Sequence, residues 1–211
     1  MLSLGIDLTA SPKKPSSYAL LSDAGDFCSM GSFRTLEELV ETINGQEPSL
    51  IAIDAPLTLP LGLDCLEESC PCSAVMNPKG RLSEVELAHM GIGLFFTTKR
   101  SIIKNLVYRG MAFYSDLTNR GHQVIEIYPY ATKVVLFGSK IPKKNSAEGI
   151  AFLRGKLSGL IPGLGVLADR LNHDECDALL AAYTAYCHLK NESSSVGLPE
   201  EGYMVIPKLL T

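Results

Sequence analysis

The sequence contains no long hydrophobic run and no excess of positive charge. A run of roughly 18 or more uncharged apolar residues is missing, so no membrane-spanning helix is predicted. The formal net charge is −4 over 211 residues, which argues against a protein that coats nucleic acid non-specifically, because such proteins are strongly basic. Hydrophobic residues make up 46% of the chain, and this fraction excludes disorder.

Several sequence motifs are also missing. No basic segment precedes the first apolar run, and Asp7 interrupts that run, so no signal peptide is predicted. We therefore expect a cytoplasmic protein whose six cysteines are reduced. The pattern G-x-x-x-x-G-K-[ST] does not occur, and the serine run 193–195 has no nucleophile-elbow context. These absences argue against a P-loop nucleotide-binding protein and a serine hydrolase.

The predicted elements alternate between strands and helices, which indicates an α/β fold. We expect a single domain over residues 1–211, with an insertion at 57–123 between two core strands, and a loop over 193–202. The predicted strands are 1–9, 18–21, 27–33, 50–53, 124–128 and 203–206, and the predicted helices are 35–43, 97–111 and 174–189.

Acidic residues interrupt several otherwise apolar segments. Asp7 and Asp54 lie in or at the end of apolar runs, Glu126 lies inside one, and Asp174 and Asp177 open an apolar helix. A carboxylate buried in this way costs several kcal/mol unless it is paired or binds a cation. Each acid alone also has a structural explanation, as a turn former or a partner of the helix dipole.

Taken together, the acids predict a metal site. Asp174 and Asp177 are three residues apart, so both can project from one helical face. Asp7 and Asp54 would meet if their strands are parallel neighbours, at the sheet edge where α/β proteins bind ligands. Oxygen-only ligation suits Mg²⁺ or Mn²⁺, and two such ions can hydrolyse a phosphodiester.

Four segments carry a resemblance to a known family. They are Gly5-Ile-Asp-Leu-Thr, Ile53-Asp-Ala-Pro-Leu-x-x-Pro60, Ile125-Glu-Ile-Tyr-Pro129 and the segment that starts His173-Asp-Glu-Cys-Asp-Ala. In this order they resemble a family of predicted RNase-H-like nucleases (domain-of-unknown-function family 429), and the final helix resembles that of RuvC-type junction resolvases. The resemblance implies an RNase-H-like mixed five-stranded sheet flanked by helices, with an insertion after the Asp54 strand, and metal-dependent hydrolysis of nucleic acid.

The same resemblance implies the site residues. Glu126 matches the family's strand motif, and it is either part of the catalytic set or a structural acid paired with Arg81 or Lys133. The final helix implies that its paired acids hold metal. The implied metal ligands are Asp7, Asp54, Asp174 and Asp177, and the implied catalytic residues are these four together with Glu126.

Basic residues are concentrated in one part of the chain. Residues 97–156 contain 11 Lys and Arg against 3 Asp and Glu, which is compatible with a nucleic acid, DNA or RNA, approaching one side. A solvated helix surface is the alternative. The sequence leaves the oligomeric state open, a homodimer included. The predicted substrate-binding residues are Arg81, Lys99, Arg100 and Lys104.

A cysteine cluster lies inside the predicted insertion. Cys65, Cys70 and Cys72 fall within eight residues and could bind zinc together with His89 or Cys187. Their spacing matches no paired Cys-x-x-Cys knuckle, so small apolar fillers of a compact loop are the favoured interpretation. A redox disulfide is a further alternative.

Two other functions remain open. A catalytically silent scaffold would keep the fold and bind a partner through the insertion. A nucleotide-binding phosphotransferase would share the fold, but such proteins duplicate it and need a longer chain.

Overall fold

The structure is a computed structural model that describes residues 1–144 and 146–208. Strands and helices alternate along this part of the chain. The strands are β1 (Ser3–Asp7), β2 (Ser16–Leu21), β3 (Phe27–Phe33), β4 (Leu50–Asp54), β5 (Val124–Ile127), β6 (Ser193–Val196) and β7 (Met204–Pro207). The α-helices are α1 (Leu36–Gln46), α2 (Leu82–His89), α3 (Lys104–Asn119), α4 (Pro129–Phe137), α5 (Ala147–Leu160) and α6 (His173–Leu189). Short 3-10 helices span Gly165–Arg170 and Pro199–Glu201.

The described strands form one mixed sheet in the order β3-β2-β1-β4-β5-β7-β6. The first three strands are antiparallel, whereas β4 is parallel to β1, β5 to β4 and β7 to β5. The sheet therefore has seven strands, and the expectation of five was wrong. The serines at 193–195, predicted as a loop, belong to strand β6. An edge strand pairs on one side only, so these exposed serines show no apolar alternation that would reveal it.

Helices cover both faces of the sheet. On one face, Leu4, Ile6, Ile51 and Ile53 of the central strands pack with residues of α1 and α3. On the other face, α6 lies across β1 and is buried from Cys176 to Ala185. Successive residues of a strand point to opposite faces, so the last residues of β1 and β4 point to the α6 side.

Two of the predicted helices are confirmed, and the third begins at a different residue. The predicted helices at 35–43 and 174–189 are confirmed as α1 and α6, and Thr35 caps α1 by accepting a hydrogen bond from the Glu38 N–H. The prediction of a helix from Thr97 was wrong, because α3 begins only at Lys104. Thr97 is instead buried and donates through its hydroxyl to Glu84 of α2, a helix that was not predicted.

None of the helices in residues 1–144 and 146–208 has the length and hydropathy needed to cross a bilayer.

Candidate active site

Two aspartates lie side by side at the edge of the sheet. Asp7 is the last residue of β1, Asp54 is the last residue of β4, and the two are direct partners in the parallel register. The predicted proximity of these acids is thereby confirmed. Their side chains share the strand faces of Gly5 and Ala52 and point to the α6 side of the sheet.

Helix α6 brings two more acids to the same place. Asn172 and Glu175 form a reciprocal capping box that fixes where α6 begins. Asp177 in the following turn is buried, with 2% of its surface exposed, whereas Asp174 is exposed. The spacing of three residues places both on one face of the helix. Each predicted metal ligand therefore lies at or beside this edge of the sheet.

The electrostatics of the two strand acids follow from this crowding. Burial, together with repulsion from Asp177 and Asp174, raises the pKa of Asp7 from 3.8 to about 7. Burial and repulsion from Asp7 and Asp177 raise the pKa of Asp54 well above its usual value. Both carboxyls thus resist ionisation, because no opposite charge compensates them fully.

Two lysines that the sequence analysis did not assign to the site contact Asp177. Lys133 Nζ of α4 lies 2.5 Å from Asp177 Oδ1, an ion pair without hydrogen-bond alignment. Lys144 Nζ donates a hydrogen bond of 2.7 Å to Asp177 Oδ2. Burial lowers the pKa of Lys144, but Asp177 outweighs this effect and the net pKa is raised. Lysines on a short helix and in a loop carry no sequence signal that would place them here.

A cavity of about 400 Å³ opens beside the acids. Asp54, Asp177, Lys133 and Lys144 line part of its wall. Burial, together with the neighbouring Asp54, raises the pKa of the Tyr128 phenol, which also lines the cavity, to about 12. The remaining wall is largely apolar and aromatic. It includes Leu94, Phe95, Ile103, Leu106, Tyr130 and Ile141.

His173 stands at the start of α6, next to these acids. Its Nδ1 is buried and has no hydrogen-bond partner among the described residues. Burial and the nearby positive charge of Lys144 lower its pKa. His173 is therefore a neutral neighbour of the site.

Glu126 lies in a buried ion-pair network. Arg81 Nη2 lies 2.5 Å from Glu126 Oε1, Arg81 Nη1 donates to Glu126 Oε2 at 2.6 Å, and Glu84 contacts the same guanidinium. The Leu57 N–H also donates to Glu126. Of the two pairings considered for Glu126, the one with Arg81 is present, while Lys133 pairs with Asp177 instead.

The placement of Arg81 corrects its assignment as a substrate-binding residue. Its side chain is fully buried, with 0% exposed. Burial lowers its pKa, but Glu126 and Glu84 outweigh this and raise it, so the guanidinium stays charged. Its N–H groups are used within the protein, which leaves none for a phosphate.

The other predicted substrate contacts lie outside the acid cavity. Lys99 donates to the Cys70 carbonyl, and Arg100 is 88% exposed and lies 3.8 Å from Glu68. Lys104 is the first residue of α3. Among the described residues that line the acid cavity, the cations are Lys133, Lys144 and the buried Arg81.

The cysteine cluster forms a separate group. The Sγ atoms of Cys65, Cys70 and Cys72 all lie within 4.8 Å of one another. Over residues 1–144 and 146–208 this is the one set of three His, Cys, Asp or Glu side chains that converges so closely. The acids at the sheet edge are spaced more widely, with Asp177 held by its lysines.

Oxygen donors at the sheet edge suit a hard divalent cation. Asp7, Asp54 and Asp177 are carboxylates, the donor type that Mg²⁺ and Mn²⁺ prefer. The raised pKa values of Asp7 and Asp54 mark an uncompensated cluster of negative charge, which a cation would relieve. The donor set therefore fits such an ion, although Asp177 must share its oxygens with two lysines.

Comparisons with known proteins give one distant structural similarity. No protein-family model and no curated protein matches the chain. The RuvC structure of Thermus thermophilus is similar over 90% of this chain and 97% of that one, at 13% identity and a TM-score of 0.46. Similarity at this level supports no argument about the function of this chain.

Proposed function

We propose that the protein is a metal-dependent nuclease of RNase-H-like fold that hydrolyses phosphodiester bonds at its acid cluster. The observation that carries the proposal is the pairing of Asp7 with Asp54 at the ends of β1 and β4, next to buried Asp177. The order of elements also agrees with the resemblance, since an acid ends β1, a second acid ends β4 and further acids open α6.

The charges support a cation at this place. Lys133 and Lys144 both contact Asp177, so their positive charges compensate that residue first. Asp7 and Asp54 stay undercompensated, as their raised pKa values indicate. Neutralisation then requires protons or cations. We propose that divalent cations serve here, held by Asp7, Asp54, Asp174 and Asp177.

Divalent cations at such a site would lower the pKa of a water molecule and stabilise the charge that develops on phosphate oxygens. The chain's own residues would position the substrate. The Lys144 side chain is 53% exposed, so it can turn from Asp177 to a phosphate oxygen that approaches from solvent. Buried Lys133 stays on Asp177 and fixes the orientation of that carboxylate.

Features around the site favour nucleic acid as the substrate. Phe95 and Tyr130 line the cavity and are 60% and 36% exposed. Aromatic faces of this kind stack on bases, and each stacked base contributes about 1–3 kcal/mol. The basic segment 97–156 contains Lys133 and Lys144 as well as the helix that begins at Lys104. This positive charge would attract the phosphate backbone.

A cleavage screen tests the proposal. Single-stranded, duplex, hybrid and branched DNA and RNA are incubated with protein and Mg²⁺ or Mn²⁺. We expect cleavage of at least one substrate, loss of that cleavage in Asp7→Asn, and retention in Asp169→Asn, which changes an exposed aspartate of a 3-10 helix. Cleavage that persists in Asp7→Asn, or no cleavage by the wild type, overturns the proposal.

One observation favours a second candidate, the catalytically silent scaffold. Both oxygens of Asp177 already face lysines, so this acid needs no metal to balance its charge, and protons on Asp7 and Asp54 could neutralise the other two. Thermal denaturation with and without Mn²⁺ separates the two. A nuclease centre predicts that Mn²⁺ raises the Tm of the wild type but not of Asp7→Asn. A silent scaffold predicts no shift in either protein.

A further inference from the structure

The cysteine cluster lies apart from the acid site. Cys70 Sγ and Cys72 Sγ are 3.2 Å apart, and both lie within 4.8 Å of Cys65 Sγ. Cys72 lines a second cavity together with Lys99 and Arg100, and this cavity shares no lining residue with the one beside the acids.

The three thiols are not packed into a hydrophobic core. All three are half-buried, and none belongs to the apolar clusters of the described residues. Cys176 and Cys187, by contrast, belong to α6 and are buried in the core. Cysteines used as apolar fillers would be buried like these two, so the filler interpretation does not account for the cluster.

The segment that carries the cluster is long and irregular. Residues 55–81 contain neither helix nor strand, and irregular segments of this length are uncommon in compact domains without a function or a covalent or metal crosslink. Buried Leu66 anchors the segment, and its N–H donates to Tyr108 Oη at 2.7 Å. The cysteines lie on both sides of this anchor in the sequence, so a crosslink between them would restrict the segment further.

Contacts within the segment hold the three sulfur atoms together. The Cys70 thiol donates to Cys72 Sγ at 3.2 Å, and Cys72 Sγ in turn donates to the Cys65 carbonyl at 3.7 Å. Lys99 donates to the Cys70 carbonyl from outside the segment. The sulfur atoms are therefore already grouped closely enough for a single ion to contact all three.

We propose that Cys65, Cys70 and Cys72 bind a thiophilic d¹⁰ cation of the zinc class, which ties the segment 55–81 together. Three sulfur ligands select zinc over Mg²⁺ or Mn²⁺, since soft thiolates disfavour hard ions. Each thiol releases its proton to solvent when its sulfur binds the ion. The fourth position of the tetrahedron is left to water or an added ligand.

The two side chains considered earlier as a fourth ligand are not in place. Cys187 lies in α6 and is buried in the hydrophobic core, where burial raises the pKa of its thiol to about 11. His89, at the end of α2, does not join the group within 4.8 Å. The proposed site is therefore built by three cysteines of one segment.

Metal analysis tests the proposal. Protein is purified with a phosphine reductant and without chelator or immobilised metal, zinc is measured by elemental analysis, and Co²⁺ is titrated in a parallel sample. We expect about one zinc per chain, and with Co²⁺ both a sulfur-to-metal charge-transfer band and intense tetrahedral d–d bands. Cys72→Ser should lose both signals, and Cys28→Ser, which changes an exposed cysteine outside the cluster, should keep them.

Failure of this proposal is distinguishable from failure of the nuclease proposal. Asp7→Asn should retain the zinc and the cobalt bands, because it changes only the other site. If Cys72→Ser does not fold, the wild-type cobalt spectrum decides alone. The proposal is overturned if the reduced wild-type protein shows no charge-transfer band with Co²⁺. It is also overturned if the Cys72→Ser protein binds as much zinc as the wild type. A Cys70–Cys72 disulfide whose reduction yields no metal binding overturns it as well.

Discussion

Asp7 carries more of the functional argument than any other residue. It ends a central strand, lies beside Asp54 and faces the acids of α6. Natural folds avoid buried like charges unless something compensates them. An ionised Asp7 without a cation should therefore lower the free energy of unfolding by a measurable amount.

The first prediction concerns the pH dependence of stability without metal. The pKa of Asp7 is about 7 in the folded protein, against a usual value of 3.8. The folded state thus binds more protons between these values, and stability falls as the pH rises through this range. Asp7→Asn removes this titration. In urea denaturation with chelator, we expect Asp7→Asn to be more stable than wild type by about 2 kcal/mol or more at pH 8.

This advantage should shrink towards pH 4, which is well below the folded-state pKa of Asp7 and close to its usual value of 3.8, so that the two states then bind nearly the same number of protons. An equal difference in the free energy of unfolding at pH 4 and pH 8 would contradict the assignment. Asp169→Asn, which changes an exposed residue, should show no such trend.

Glu126 illustrates how a buried acid can be structural. Its carboxylate is held by Arg81 and by the Leu57 N–H. Removing one partner of a buried ion pair costs about 3–5 kcal/mol, because the other charge is left uncompensated. We predict that Arg81→Met lowers the free energy of unfolding by about this amount.

The same variant separates the structural role from a metal role. If Arg81→Met stays folded, its Mn²⁺ affinity at the acid site should match that of wild type in calorimetry. A folded Arg81→Met protein of unchanged stability would show that the network with Glu126 and Glu84 is not structural.

At the level of elements, the packing of α6 on β1 assembles the site. A Cβ at Gly5 would lie 1.9 Å from the Ala182 nitrogen and 2.3 Å from the Ala178 carbonyl oxygen. Only glycine lets the backbones of β1 and α6 come this close at Gly5. The distance between the two elements in turn determines how near Asp177 lies to Asp7. The glycine in the Gly5-Ile-Asp segment thus has a packing role that the sequence alone did not reveal.

We predict that Gly5→Ala destabilises the protein by about 3 kcal/mol, since α6 must retreat from the sheet. Gly155→Ala in α5 is the matched control. Its new Cβ would meet nothing within 4 Å, so it should stabilise by about 0.5–1 kcal/mol. Urea denaturation measures both. A Gly5→Ala protein as stable as wild type would refute the close packing.

The sequence pattern predicted well those elements that are marked by a continuous apolar run or by a clear helix cap. Strands β1 and β4 are continuous apolar runs, and α1 and α6 have clear caps. The helix predicted for the segment before α3 is absent because of a contact with a residue distant in the sequence. Thr97 was expected to begin a helix, but its hydroxyl and N–H both bond to buried Glu84. No local pattern reveals such a bond.

Some residues of the candidate site could be predicted from the sequence and others could not. Acids that end strands or open a helix were predictable, because each breaks a strong apolar pattern. Lys133 and Lys144 were not, because a lysine in a polar context is ordinary until the fold places it on Asp177. Arg81 was predicted as a substrate contact and was also considered as a partner of Glu126, and the structure holds it in the interior beside Glu126 and Glu84.

For the whole molecule, the net charge of −4 hides two opposite regions. Residues 97–156 carry a net charge of +8, so the remainder carries −12. The positive segment provides Lys133 and Lys144 to a cluster of acids from β1, β4 and α6. An enzyme that binds nucleic acid locally and neutralises its acids with metal is consistent with this distribution.

Isothermal titration of Mn²⁺ into wild type and Asp7→Asn tests the central claim most directly, because it asks whether the acid cluster is a metal centre. The account predicts binding of about two ions per chain to the wild type, and loss of that binding in Asp7→Asn while Asp169→Asn binds normally. Wild-type protein that takes up no Mn²⁺, or Asp7→Asn that binds it equally well, would contradict the account.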